Sequence, residues 1–382
     1  MTRTALSIIA LAMTTLISAC GGGGGGGGGN NGPTLDTPIS ITAANYSQVA
    51  SLAVRSNLLV ADSPNYNYGY PAAVIGVAPP TSVNVMNLTR MQLVEIKKPI
   101  AASSPGFELP AGVLITDQGQ QPCGATADFG TRTKTYTNAT GGADTDLEPV
   151  AGDKLEIVYN NCKLNLTNEA NNCVLVLESD RNITLNGKVT TVITTASSPS
   201  VYTAKLTYED LGVAGTRNNQ NFSSTVNGKL VIALSTTSPQ ITLSTEGSDT
   251  LSTSDASGTD RLSNAVIQYN DNQQGCVPGV PNNDYVIRAG SHGKVANSNL
   301  GYVNASVATD LVGNSASGDK GFPSSGSVLV QSDDGTKMTI ATQSADGTVQ
   351  LSINNSTVTC AVQPKWSDVF NDVLKPAPLS CQ

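Results

Sequence analysis

Few side chains in this sequence are equipped for chemistry. His292 is the only histidine, so any Ser-His-Asp machinery would have to pass through it, and it sits in Ala289-Gly290-Ser291-His292-Gly293 with no nucleophile elbow elsewhere. The reading taken is an ordinary surface histidine. Asp144, Asp146 and Glu148, with Asp153 close behind, offer hard oxygen ligands at alternate positions, the donor type calcium accepts. The glycine and terminal glutamate of an EF-hand loop are missing, so a solvated hairpin loop is the preferred reading and no metal is assigned. Paired carboxylates could hydrolyse a glycosidic bond from distant sequence positions, but nothing singles out a pair. Seven cysteines complete the inventory.

Six of them, Cys123, Cys162, Cys173, Cys276, Cys360 and Cys381, follow the N-terminal region. None stands in a C-x-x-C pair, which argues against zinc. An even number in an exported chain implies three disulfides, with 15 pairings open. The set adopted joins Cys123 to Cys162, Cys173 to Cys276 and Cys360 to Cys381. The seventh, Cys20, ends Ile17-Ser18-Ala19-Cys20, behind Arg3 and an apolar run from Ala5 to Ile17. Residues 1–19 therefore predict a secretory signal, too short and too interrupted by Thr14 and Thr15 for a membrane span. The segment resembles the lipobox of bacterial lipoproteins, which implies cleavage before Cys20, lipidation of its thiol and attachment to the membrane by several acyl chains. Gly21, in place of an aspartate, points to the outer membrane.

Residues 20–38 then form the lipidated cysteine and a glycine-rich tether; a flexible stretch of this kind spans about 20 Å. Residues 39–60 predict one amphipathic helix, with Thr42 as its N-cap and Val49, Leu52 and Ala53 on its apolar stripe. Residues 61–382 predict a β-rich body, as one large sheet or as two lobes meeting near 270–290. Tyr66, Tyr68 and Tyr70 alternate in a loop whose rings are expected to cover the core edge.

Composition supports this. Charged residues make up 13% and aromatics 4% of the chain, while Ser, Thr, Asn, Gly and Val recur, a mixture suited to strands and turns. With Arg3 removed, 20 basic face 29 acidic residues, and an acidic chain has no attraction for phosphate backbones. Nucleic acid is excluded as a partner on that ground. From about Met86 the period is two, clearest at Lys154-Leu155-Glu156-Ile157-Val158-Tyr159. Asn186-Gly187 and Asn227-Gly228, in matching contexts about 40 residues apart, predict repeated hairpin turns of an antiparallel meander. Asp334-Gly335 and Asp346-Gly347 predict two more hairpins joined by Lys337 to Thr342. Residues 245–262 predict a long exposed loop, and Trp366 to Val373 a short closing helix.

The segment Ala151-Gly152-Asp153-Lys154 through Asn160-Asn161-Cys162, with Cys123 upstream and Leu185-Asn186-Gly187 downstream, resembles a group of uncharacterised bacterial envelope lipoproteins. Phe322-Pro323-Ser324-Ser325-Gly326 also fits that group. The chain departs from it in its extra cysteines and in lacking a glycine-rich Asp repeat before Ala151. The resemblance implies an address and a fold and no activity.

The expectation for fold is thus mainly β, a large antiparallel meander, curved or in two lobes, with one N-terminal helix. For function it is a lipid-anchored envelope lipoprotein with a non-enzymatic binding or structural role, no cofactor, and an envelope protein or glycan as partner. The alternatives carried are a carrier that holds a lipid or other hydrophobic ligand in a groove of the sheet, and a hydrolase without a recognisable motif.

Overall fold

The computed structural model describes residues 33–58, 114–123, 129–139, 150–164, 183–198, 201–217, 220–235, 241–256, 258–271, 285–313, 322–357 and 363–370. Tyr66, Tyr68 and Tyr70 lie outside these, as does the period-two stretch between Met86 and residue 113.

After an extended segment from Pro33 comes α1 (Tyr46–Leu58). The strands are β1 (Leu114–Pro122), β2 (Thr131–Asn138), β3 (Lys154–Leu164), β4 (Ile183–Ser198), β5 (Val201–Arg217), β6 (Gln220–Leu234), β7 (Ile241–Ser244) and β8 (Thr250–Asp255). They continue as β9 (Gly258–Asp271), β10 (Tyr285–Ile287), β11 (His292–Asn297), β12 (Gly301–Gly313), β13 (Pro323–Gln331), β14 (Lys337–Thr342), β15 (Val349–Ile353) and β16 (Ser356–Thr357), followed by α2 (Trp366–Phe370). All sixteen belong to one sheet, and every strand pair is antiparallel. Neighbours follow chain order except at two places. There β7 and β8 lie end to end between β6 and β9, and β10 and β11 lie end to end between β9 and β12. Pairing of β10 with both β9 and β12 keeps the strands before and after 270–290 in one sheet.

Alternation sets the core. Leu155, Ile157 and Tyr159 of β3 are buried with Leu185, Val189 and Ile193 of β4 and Leu206 and Tyr208 of β5. One apolar cluster runs from Tyr136 on β2 to Leu351 on β15 and takes in Val49, Leu52, Ala53 and Trp366 from the helices. An isolated helix of this length is marginal in water, so α1 depends on docking. It packs against α2 and β11 to β14. The helix begins later than its apolar pattern suggested. Thr42 forms a turn first, its N–H donating to Asn45 Oδ1 (2.8 Å), and Tyr46 N then donates to Thr42 O (3.0 Å).

The Asp-Gly turns fall as expected on either side of β14, whose Met338 and Ile340 are buried. Two other expectations are corrected. Residues 245–262 are not a long loop: β8 and the start of β9 form a tight hairpin closed at Asp255 and Gly258, because Leu251 supplies an inward apolar side chain and Ser/Thr neighbours suit the outer face. Asn186-Gly187 and Asn227-Gly228 are not hairpin turns either. Both lie inside long strands, where the register shifts between Asn186 and Lys188 and across Gly228 opposite Tyr208 and Leu211. Positive φ, which the pair tolerates, is used here for bulges and not for reversal.

These bulges line up across the sheet. Asn161, Asp210 and Asn264 take φ of 48°, 47° and 47° on β3, β5 and β9. Gly187, Gly228 and Gly326 take 107°, 115° and 112° on β4, β6 and β13. Each glycine faces an irregular neighbour; a Cβ on Gly187 would stand 2.2 Å from Asp210 O, and one on Gly326 would stand 2.3 Å from Asp310 O. The gaps between β7 and β8 and between β10 and β11 fall on the same line. The result is a crease at which strand after strand interrupts its ladder, and a bulged strand bends and twists more strongly there.

Candidate functional site

His292, at the start of β11, is exposed, and its Nδ1–H donates to Gly290 O (2.8 Å). The neighbouring hydroxyl serves the backbone: Ser291 Oγ is buried, accepts Gln268 N–H (3.0 Å) and donates to Gln268 O (3.4 Å). Ser291 and His292 thus stabilise the break between β10 and β11 and are not bonded to each other. Asp310 reinforces it, accepting Ala289 N–H (2.7 Å) and an ion pair from Arg288 (2.9 Å). The Ala289 amide and the Arg288 guanidinium hold the Asp310 carboxyl below the usual carboxylate range.

Asp153 is buried, and its two oxygens accept the N–H groups of Ala139 (3.1 Å) and Val150 (2.9 Å). That arrangement closes the β2–β3 connection. Asp144, Asp146 and Glu148 lie outside the described residues, as do Cys20, Cys173, Cys276, Cys360 and Cys381. Among the described residues no group of three or more His, Cys, Asp or Glu could hold a metal. Cys123 and Cys162 form a disulfide with Cα atoms 5.5 Å apart. It joins the residue after β1 to β3 across the start of β2, with Cys162 fully buried beside the crease.

The densest polar constellation lies where the N-terminal segment reaches the sheet. Thr37 and Ile39 flank Tyr302 of β12: Tyr302 N–H donates to Thr37 O (2.8 Å), and Ile39 N–H donates to Tyr302 O (3.0 Å). Gly301 makes room for this contact, since a Cβ there would stand 2.2 Å from Thr37 O. Arg261 of β9 pairs with Asp36 and donates to Leu35 O (2.9 Å). Its guanidinium lowers the pKa of Asp36. At the β13–β14 turn, Ser40 Oγ donates to Asp334, and Ile41 N–H donates to Thr336 Oγ1 (3.1 Å). Hydrogen bonds from Ser40 and Thr336 depress Asp334 to about 2. Tyr302 itself is held on three sides, by the strap's backbone, by its hydroxyl donating to Asp333, and by Lys294 Nζ over its ring (3.4 Å to the centroid).

Residues 33–45 are therefore a strap fastened along β9, β12 and the β13–β14 turn. Sequence reasoning missed its partners Arg261, Tyr302, Asp334 and Thr336. The Asp-Gly turn was visible, but a turn signal says nothing of a segment some 295 residues away that binds it.

Among the described residues, Val158 is the one large hydrophobic side chain that stands exposed (41%), and no helix is long and apolar enough to cross a membrane. No family model, curated protein or solved structure matches the chain.

Proposed function

We propose that this is a bacterial envelope lipoprotein, anchored through lipid on Cys20, whose folded body has a structural or partner-binding role and not a catalytic one. The observation that carries the reading is the strap. Immediately after Gly21 to Gly32 the chain is fastened to three parts of the sheet by Asp36, Thr37, Ile39, Ser40 and Ile41. A glycine-rich tether that ends in a multiply bonded strap suits a body held at a membrane. The engagement of Ser291 with backbone groups alone and of both Asp153 oxygens with amides supports a non-catalytic role for two of the groups best placed by sequence to do chemistry.

The test is fractionation of cells expressing the wild-type chain or Cys20→Ser. Wild type is expected in detergent-extractable membranes with a processed, acylated N-terminus, and Cys20→Ser in the soluble fraction. Unchanged fractionation of Cys20→Ser would overturn the reading. Crosslinking in intact envelopes then addresses the partner: a specific protein or glycan adduct supports the binding role.

A further inference from the structure

We infer that the strap is a latch for α1: the two form one unit that leaves the sheet together, uncovering the inner face of β11 to β14 while β3 to β6 stay paired. The inference goes beyond the proposed anchoring and makes no use of Cys20, so either can fail without the other.

The first argument concerns what holds α1. Val49, Ala50, Leu52, Ala53 and Val54 are all at most 1% exposed, so the helix is sunk into the core by apolar contact. Its neighbours are α2 and the four strands from β11 to β14. The strap touches this same region, through Tyr302 on β12 and Asp334 and Thr336 between β13 and β14, with Arg261 on β9 at its outer end. Strap and helix are also coupled directly. Asn45 Nδ2 donates back to Ser40 O (2.8 Å) while Asn45 Oδ1 accepts from Thr42 N (2.8 Å), and Asn45 O accepts Val49 N–H (3.1 Å) inside the first turn of α1. Losing the strap therefore removes the fixed entry to a helix that is marginal without docking.

The second argument concerns what remains. Strands β4 and β5 share thirteen paired positions, as do β5 and β6, and the closest backbone approaches of α1 are to α2 and β11 to β14, in another part of the sheet. Such self-contained ladders retain their protection when a peripheral unit opens. The latch is also graded. Its bonds attach to separate sites, so each is removable alone, and Ile39 and Ile41 (6% and 3% exposed) add apolar burial along the same stretch.

The experiment is hydrogen exchange on the full chain, comparing wild type, Arg261→Ala/Asp334→Ala, and Ser40→Ala, which changes the strap and no strand residue. Asp346→Ala is the control, since Asp346 receives Ser344 and Thr348 at the other Asp-Gly turn and does not touch the strap. Amides of residues 49–54 should exchange about tenfold faster or more in the double variant and by a smaller factor in Ser40→Ala. Residues 203–208 of β5 should be unchanged, and binding of a fluorescent apolar dye should rise. Unaltered exchange in 49–54, or equal acceleration in 49–54 and 203–208, would overturn the latch. If the double variant fails to fold, Ser40→Ala alone decides between these outcomes.

Discussion

Asn227 grips Asp210 twice across β5 and β6: its Oδ1 accepts the Asp210 N–H (2.7 Å), and its Nδ2 donates to Asp210 Oδ1 (3.0 Å). Asp210 is held at φ 47° by this side chain. Two ladders earlier, between β3 and β4, Asn186 Oδ1 accepts Asn161 N–H (2.7 Å), and Asn161 has φ 48°. The two Asn-Gly pairs of the sequence repeat thus do one task, in which Asn satisfies the amide of a left-handed residue on the preceding strand and Gly lets the backbones close. Both amides are open to solvent, so each such hydrogen bond contributes about 0.5–1.5 kcal/mol net. Asn186→Ala and Asn227→Ala are each expected to lower stability by that amount, read as a shift in urea midpoint at constant slope. Were these residues in hairpin turns, Asn→Asp would be neutral; at the crease it should also destabilise Asn227, by setting a second carboxylate against Asp210.

Glycine at the crease is a stricter requirement. A Cβ on Gly228 would stand 1.9 Å from Thr250 O at a φ of 115°, so clash and backbone strain act together. Gly212, on β5, lies outside the left-handed region, and the nearest contact to its Cβ would be 3.7 Å. Gly228→Ala is expected to cost about 3 kcal/mol or more, or to prevent folding, whereas Gly212→Ala should stay within about 1 kcal/mol. Thermal and urea unfolding of the pair measures the contrast; equal losses would show that the crease tolerates a bend without glycine.

The fold was legible where one rule governed. Alternation at Leu155, Ile157 and Tyr159 announced an inward face, and the Asp-Gly turns flanking Met338 and Ile340 announced two hairpins. Asn186-Gly187 was legible as positive φ but not as bulge, because turn and bulge ask the same of the residue and differ only in whether the next strand reverses. Residues 245–262 looked like a loop because β8 is six residues long and carries one buried apolar side chain. Its strand character comes from the ladders of β6 and β9 on either side. Arg261 and Tyr302 carried no local signal, and Asp334 carried only that of its turn, since each meets the strap through a partner distant in sequence.

The Cys123–Cys162 disulfide closes a separation of 39 residues. In the chain-entropy model a loop of this size contributes about 3–4 kcal/mol. Reduction, or Cys123→Ser with Cys162→Ala, is expected to lower stability by that amount, and peptide mapping of the unreduced protein should find the two cysteines in one linked fragment. Linkage of Cys162 to Cys173 would contradict the pairing.

The last prediction concerns acid. Asp334 titrates at about 2 in the folded protein, lowered first by the Ser40 hydroxyl and then by Thr336, against about 3.9 for an unfolded aspartate. A depressed carboxylate contributes stability that is whole above the unfolded pKa and fades as pH falls through the folded one. The window for Asp334 therefore runs from about pH 4 down to about pH 2. Asp36, lowered by Arg261, acts in the same direction, so both side-chain ends of the strap loosen as acid is added. Other carboxylates titrate in this range too, so the quantity to measure is a difference. The gap in urea midpoint between wild type and Asp334→Asn should be constant from pH 7 to 5, narrow from 4 downward, and be smallest near 2. A gap that widens with falling pH would mean that the charge on Asp334 opposes the strap, and that Ser40 and Thr336 bind an oxygen whose ionisation does not matter to them.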